Sequence, residues 1–206
     1  MKTIKQIILV LSLAVFSLSV SAAGKKVDLD HANTDIMDRA SLQNGAKLFM
    51  NYCSGCHAIS FMRYNRIGED LGLSDAMVKE NLMFAGSKTG ENITTAMPED
   101  AASSWFGGVP PDLSLVARSK GTDWIYTYLR GFYEDKSRIF GVNNKVLVNA
   151  SMPDALWSLK ESQSEAEFDN SVRDITNFLD YVGEPAKLIR LDRKSTRLNS
   201  SHSSVS

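Results

Sequence analysis

Residues 51–60 read NYCSGCHAIS and hold both cysteines of the 206-residue chain and one of its three histidines. Cys53, Cys56 and His57 at this spacing admit three chemistries: a redox dithiol, a metal site, or a covalently bound haem. The Cys-x-x-Cys-His run is the attachment pattern of c-type haem. Two thiols one helical turn apart can each add to one haem vinyl group. The next residue, a histidine, is then held under the ring, where its imidazole binds iron on the proximal side. A thioredoxin-like dithiol should follow a strand in a βαβ unit, whereas a helical pattern precedes the motif here. A zinc site needs four ligands, and the other histidines, His31 and His202, lie in a polar arm and a serine-rich tail. One covalent haem c is the expected cofactor, and thiol–disulfide exchange is the main alternative.

The sixth iron position separates electron transfer from catalysis. An open position suits a soluble, peroxidase-like haem enzyme, whereas a methionine raises the potential and suits electron transfer. Beyond the start residue the candidates are Met37, Met50, Met62, Met77, Met83, Met97 and Met152, and most would serve as core or surface residues. Met97 in AMPED and Met152 in ASMPDALW stand apart because the following proline stiffens the loop. Met152 leads because it lies shortly before the terminal helix, and Met97 is the alternative. In VPPDLSLVARSKGTDWIYTYLRG (109–131), Pro110 and Pro111 fix an extended lead-in, and Asp112 or Ser114 can cap the turn after it. Arg118 and Lys120 sit where cations could meet the two haem propionates. The competing reading of that pair is a solvated basic turn. Trp124, Tyr126 and Tyr128 read as core packing rather than redox relays.

These groups need a scaffold. SLQNGAKLFMNYC predicts a helix from Ser41, with Leu42, Gly45, Ala46, Phe49 and Tyr52 on one face. Glycine inside a helix costs about 1 kcal/mol against alanine, so Gly45 predicts a close helix crossing. SEAEFDNSVRDITNFLDYVGEP predicts a second long helix. Ser164 and Glu167 form its capping box, its stripe is Phe168, Val172, Ile175, Leu179 and Val182, and Gly183 and Pro185 stop it. The two helices should cross at Gly45, with Phe49 against Leu179 or Val182. Shorter helices are expected near Ser74–Phe84 and Thr122–Phe132, and a weak hairpin over 139–150 with Asn143-Asn144 as its tight turn. Residues 25–39 should be extended. The tail, LDRKSTRLNSSHSSVS, is serine-rich without apolar period and is expected to be disordered.

Hydrophobic residues make up 43% of the chain and charged residues 23%, a globular balance. The first residues combine Lys2 and Lys5, an apolar run from Ile7 to about Val20, and small residues to Ala23. This reads as a signal peptide over 1–23, cleaved after Ala23, which sends the rest to a bacterial periplasm. Residues 24–187 carry 17 Lys and Arg against 23 Asp and Glu, a balance of −6. So acidic a body argues against nucleic acid and suits a basic or neutral protein partner.

Four stretches, SLQNGAKLFMNYCSGCHAISFMRY, VPPDLSLVAR, ASMPDALWSL and FLDYVGEPAKL, together resemble the bacterial cytochrome c1 family, the haem subunits of cytochrome bc1 complexes. The likeness spans about Asp35 to Lys187, and the PPDLS and GEP stretches make it specific. It implies a mainly α, cytochrome c-type fold in which N- and C-terminal helices cross over a covalent haem, with insertions, over 24–187. It implies haem c on Cys53 and Cys56, axial ligands His57 and Met152, and a basic residue, Lys120 or Arg118, at a propionate. The implied role is a one-electron relay of the respiratory chain, without catalysis of its own, at the periplasmic side of the inner membrane. Electrons would come from the Rieske iron–sulfur protein, beside cytochrome b, and go to a soluble c-type cytochrome. Family members continue after Glu-Pro into a transmembrane helix. Here the likeness is expected to stop near Leu188, with 188–206 a foreign tail in place of the anchor.

Overall fold

The structure, a computed structural model, describes residues 27–203, with side chains through residue 194. The expected signal peptide, 1–23, lies outside the described residues. Among them the architecture is mainly helical, with two small antiparallel sheets.

The first helix, α1 (Arg39–Tyr52), starts where the Asp38 carboxylate accepts the Ser41 N–H, satisfying one of the donors left open at a helix start. It buries Leu42, Gly45, Ala46 and Phe49 on the expected face. The long helix α8 (Glu165–Gly183) has the expected Ser164–Glu167 capping box and buries Phe168, Val172, Ile175, Leu179 and Val182. The two cross at Gly45. A methyl group there would collide with the Asp174 carbonyl oxygen and come within 2.8 Å of Phe178 Cβ. The Phe49 ring lies on Phe178 of α8, centroids 5.7 Å apart, in the same core cluster as Leu179 and Val182.

The polar groups buried at this crossing bond to one another, except that Asn177 Oδ1 has no partner. Asp174 accepts from Ser41 Oγ at 2.7 Å and from Asn44 Nδ2 at 2.8 Å. Asn177 donates to Ser41 Oγ and to the Asp35 carbonyl.

Around this pair sit α2 (Tyr64–Leu71), α3 (Asp75–Asn81), α4 (Glu99–Phe106), α5 (Val116–Lys120), α6 (Thr122–Arg130) and α7 (Trp157–Ser162). Helices α5 and α6 pack on α8. Arg130 of α6 forks onto Asp169 of α8 (2.6 and 3.0 Å) and reaches Asp30 of the N-terminal arm at 2.8 Å. Over residues 27–38 the arm forms neither helix nor strand. Rather than running extended throughout, it bends at Asn33 (φ 50°) and turns where Asp38 N–H donates to the Asp35 carbonyl. Asp123 further holds it by accepting from the Ala32 N–H and facing His31.

Strand β1 (Ile59–Arg63) pairs with β2 (Asn92–Ile93) through Ile59 opposite Ile93. Strand β3 (Phe132–Glu134) pairs with β4 (Val142–Asn144). Asn143 and Asn144 therefore lie inside a strand, not in a hairpin turn. Both are buried, and their side chains cap backbone. Asn144 Nδ2 donates to the Tyr128 carbonyl, its Oδ1 accepts from Val146 N–H, and Asn143 Oδ1 accepts from Asn149 N–H.

Beyond Gly183 the chain turns into a further helix, α9 (Pro185–Ser203), where the sequence predicted disorder. Pro185 suits a first helical position because it lacks the N–H that would go unpaired. Leu188 and Leu191, one turn apart, pack against the core. Lys187 reaches Asp180 at 3.3 Å and Arg190 reaches Glu184 at 2.6 Å. Serine content hid these few anchoring residues. No helix among the described residues is long and apolar enough to cross a membrane.

Candidate haem-attachment site

The attachment motif winds directly off the end of α1. Cys53 and Ser54 N–H both donate to the Phe49 carbonyl, and Cys56 and His57 N–H both donate to the Cys53 carbonyl. Ser54 Oγ caps the Met50 carbonyl at 2.7 Å. One rigid turn therefore carries Cys53, Cys56 and His57 together. The two cysteines are free rather than bonded to each other. Burial, and to a lesser degree the neighbouring Cys56, pushes the Cys53 thiol up to about 12, and burial raises Cys56 as well. Exchange-active dithiols need the opposite, a lowered thiol pKa.

His57 Nδ1 lies 2.7 Å from the Pro111 carbonyl oxygen. A carbonyl can only accept, so Nδ1 carries the proton and Nε2 keeps its lone pair. Burial lowers the His57 pKa, against the smaller opposing pulls of the Pro111 bond and Asp112, which keeps the ring neutral. A neutral imidazole oriented through its other nitrogen is what an iron ligand requires.

The PPDLS stretch is strapped to the same segment. Leu113 N–H donates to the Ala58 carbonyl. Asp112 Oδ2 accepts from Ser60 N–H at 3.0 Å and Ser60 Oγ at 2.6 Å, while Oδ1 accepts from Ser114 N–H at 2.7 Å. Phe61 N–H donates to Ser114 Oγ. Burial opposes ionisation of Asp112, but the bonds from Ser114 and Ser60 outweigh it and hold the carboxyl below its usual range. The sequence marked Asp112 and Ser114 as local caps. Their reach across to β1, and the Pro111 carbonyl as the partner of His57, carried no sequence signal.

Met152 lies in the loop before α7, half-buried against the hydrophobic core that also includes Cys53. The Tyr128 hydroxyl donates to its sulfur at 3.5 Å. Met97 sits near the attachment turn itself: its N–H donates to Thr95 Oγ1, which donates to the Gly55 carbonyl. Arg118 pairs with Glu184 at 3.3 Å, so it ties α5 to the junction of α8 and α9. Lys120 Nζ lies 5.6 Å from the Trp124 ring centroid, and Trp124 stacks on Tyr128 at 4.9 Å. Among the described residues no three His, Cys, Asp or Glu side chains converge on a common point.

The donor set fits haem c: two free thiols and an oriented, neutral imidazole on one turn. The sequence pattern of the Cytochrome C1 family matches residues 31–200. The match runs past Leu188, where the likeness was expected to stop. Cytochrome c1 of Allochromatium vinosum is 43% identical, covering 90% of this chain and 87% of its own. A protein named ammonia monooxygenase gamma subunit, from Nitrosomonas europaea, is 40% identical, covering 90% and 85%. Mitochondrial cytochrome c1 of Schizosaccharomyces pombe is 25% identical, covering 74% and 59%.

Proposed function

The chain belongs to the cytochrome c1 family, whose members carry covalently bound haem c, and from that premise we propose that it relays single electrons within a quinol–cytochrome c reductase of the bc1 type. The donor is the Rieske iron–sulfur protein, seated beside cytochrome b, and the acceptor is a soluble c-type cytochrome. The relay works at the periplasmic side of the bacterial inner membrane, after removal of the first 23 residues.

Haem c, when bound, supplies a reversible one-electron iron couple. The protein residues do the rest. Cys53 and Cys56 would hold the group as thioethers. His57 would offer Nε2 to the iron, its ring angle and tautomer fixed through Nδ1 by Pro111. Met152 would supply the second iron ligand, which would close the site to substrates and separate this role from peroxidase-like catalysis. Lys120 is better placed than Arg118 for a propionate, because Arg118 already has Glu184 as its partner whereas Lys120 faces Trp124. The bond from His57 to Pro111, beside two free cysteines on one turn, is the observation that carries this reading.

The test is the visible spectrum of the protein from a host competent in haem-c maturation, oxidised and reduced. Covalent, low-spin haem with the weak red methionine–iron band is the expected result. A high-spin spectrum would transfer the protein to ligand binding or catalysis. Absence of haem under competent maturation would return Cys53 and Cys56 to dithiol chemistry.

A further inference from the structure

We propose that Tyr128 is a positioning residue for Met152: its hydroxyl hydrogen-bonds the thioether sulfur, selects the lone pair left for iron, and raises the potential of the site. The inference rests on Met152 as the sixth ligand.

The contact is the Tyr128 hydroxyl donating to Met152 Sδ at 3.5 Å, an ordinary length for an acceptor as large as sulfur. The rest of Tyr128 is held by contacts on several sides. Trp124 stacks on its ring at 4.9 Å and 8°, and Phe132 meets it edge-on at 5.3 Å and 72°. Its carbonyl accepts from Asn144 Nδ2 at 2.7 Å. The Arg130 fork onto Asp169 ties its helix to α8.

Met152 is the opposite kind of side chain, with three rotatable bonds and no charge to orient it. A fixed donor removes part of that freedom before any ligand bond forms. A thioether sulfur has two lone pairs. With one engaged by the hydroxyl, the other is the one available for a metal. The hydrogen bond also draws electron density from the sulfur, and the O–H dipole turns its positive end toward the site. Both effects disfavour the extra positive charge of the oxidised state and raise the potential. Phenylalanine would supply the same packing, so only the hydroxyl distinguishes tuning from core filling.

The experiment compares wild type, Tyr128→Phe and Met152→Ala as full-length haem-loaded proteins. It reads midpoint potential, the methionine–iron band, imidazole affinity and thermal midpoint. Tyr128→Phe is expected to keep covalent, low-spin haem while its potential falls. Imidazole, which displaces the sixth ligand, should bind about three- to tenfold tighter, as the loss of one hydrogen bond predicts. A purely structural role would lower the thermal midpoint alone; unchanged potential and imidazole affinity would overturn the inference while leaving Met152 as ligand. A methionine band absent from wild type, or unaffected by Met152→Ala, would overturn the Met152 reading and this inference with it. Should Tyr128→Phe fail to load haem, 3-fluorotyrosine at position 128 decides. As a stronger donor it should raise the potential, and no change would overturn the proposal.

Discussion

The hydrogen bond between His57 and Pro111 depends on a loop that would not hold its shape unaided. Asp112 stands next to that carbonyl and ties it to Ser60 and Ser114. Asp112→Ala removes an acceptor shared by three donors. Its surroundings are partly solvated, so the expected loss is modest, about 1–2 kcal/mol. The Asp112 pKa is depressed on folding. Its stabilising contribution is therefore complete above the unfolded value of about 3.9 and lost as pH falls through the lower folded value. Urea unfolding should separate wild type from Asp112→Ala at pH 7 and bring them together as pH drops below about 4. A gap that persists at low pH would mean the carboxylate charge is not the source. At this scale the sequence was legible where chemistry is local: Cys53, Cys56 and His57 declare themselves by spacing. Pro111 was invisible in its role because its contribution is a backbone carbonyl, identical in every residue, brought in from 54 positions away.

The helices place these residues, and α1 in particular aims the whole attachment motif. Its crossing with α8 is set by Gly45, so Gly45→Ala should cost stability although alanine favours helix by about 1 kcal/mol. The added methyl meets the backbone carbonyl of Asp174, which cannot yield without parting the helices. Overpacking of this kind costs up to about 3 kcal/mol, for a net loss of about 2 kcal/mol. Gly55→Ala is the control: a methyl there meets nothing within 4 Å, so the change should stay within about 0.5 kcal/mol. Denaturant midpoints compare the two, and equal midpoints would show that α1 has room to shift. This crossing was readable because a glycine on an apolar helical face has few other reasons to be there. The pairing of β3 with β4 was not, since Asn143 and Asn144 look like turn residues. What makes them strand residues is a set of backbone groups that only the assembled fold presents. Helix α9 was missed for a related reason: Leu188 and Leu191 are too few to make a periodic signal until the core lies beside them.

Charge is a property of the whole molecule, and its distribution is lopsided. The balance of −6 over residues 24–187 contrasts with −1 for the whole chain, so the positive excess lies near the two termini. Side chains such as Glu99 and Asp100 at the start of α4 are exposed, and their field reaches into solvent. For an electron relay the relevant consequence is the rate of encounter, because complementary charge speeds association and salt screens it. The Debye length shrinks from about 30 Å at 0.01 M salt to about 10 Å at 0.1 M. Stopped-flow oxidation of the reduced protein by a basic c-type cytochrome should therefore slow several-fold across that range. The same reaction with an acidic acceptor should begin slower and speed up, because salt then screens repulsion. Intramolecular properties such as the midpoint potential should move far less than the bimolecular rate, which separates steering from a change in the site itself. A rate with the basic acceptor that ignores salt would mean the acidic body serves solubility alone. The acceptor would then be recognised through apolar contact.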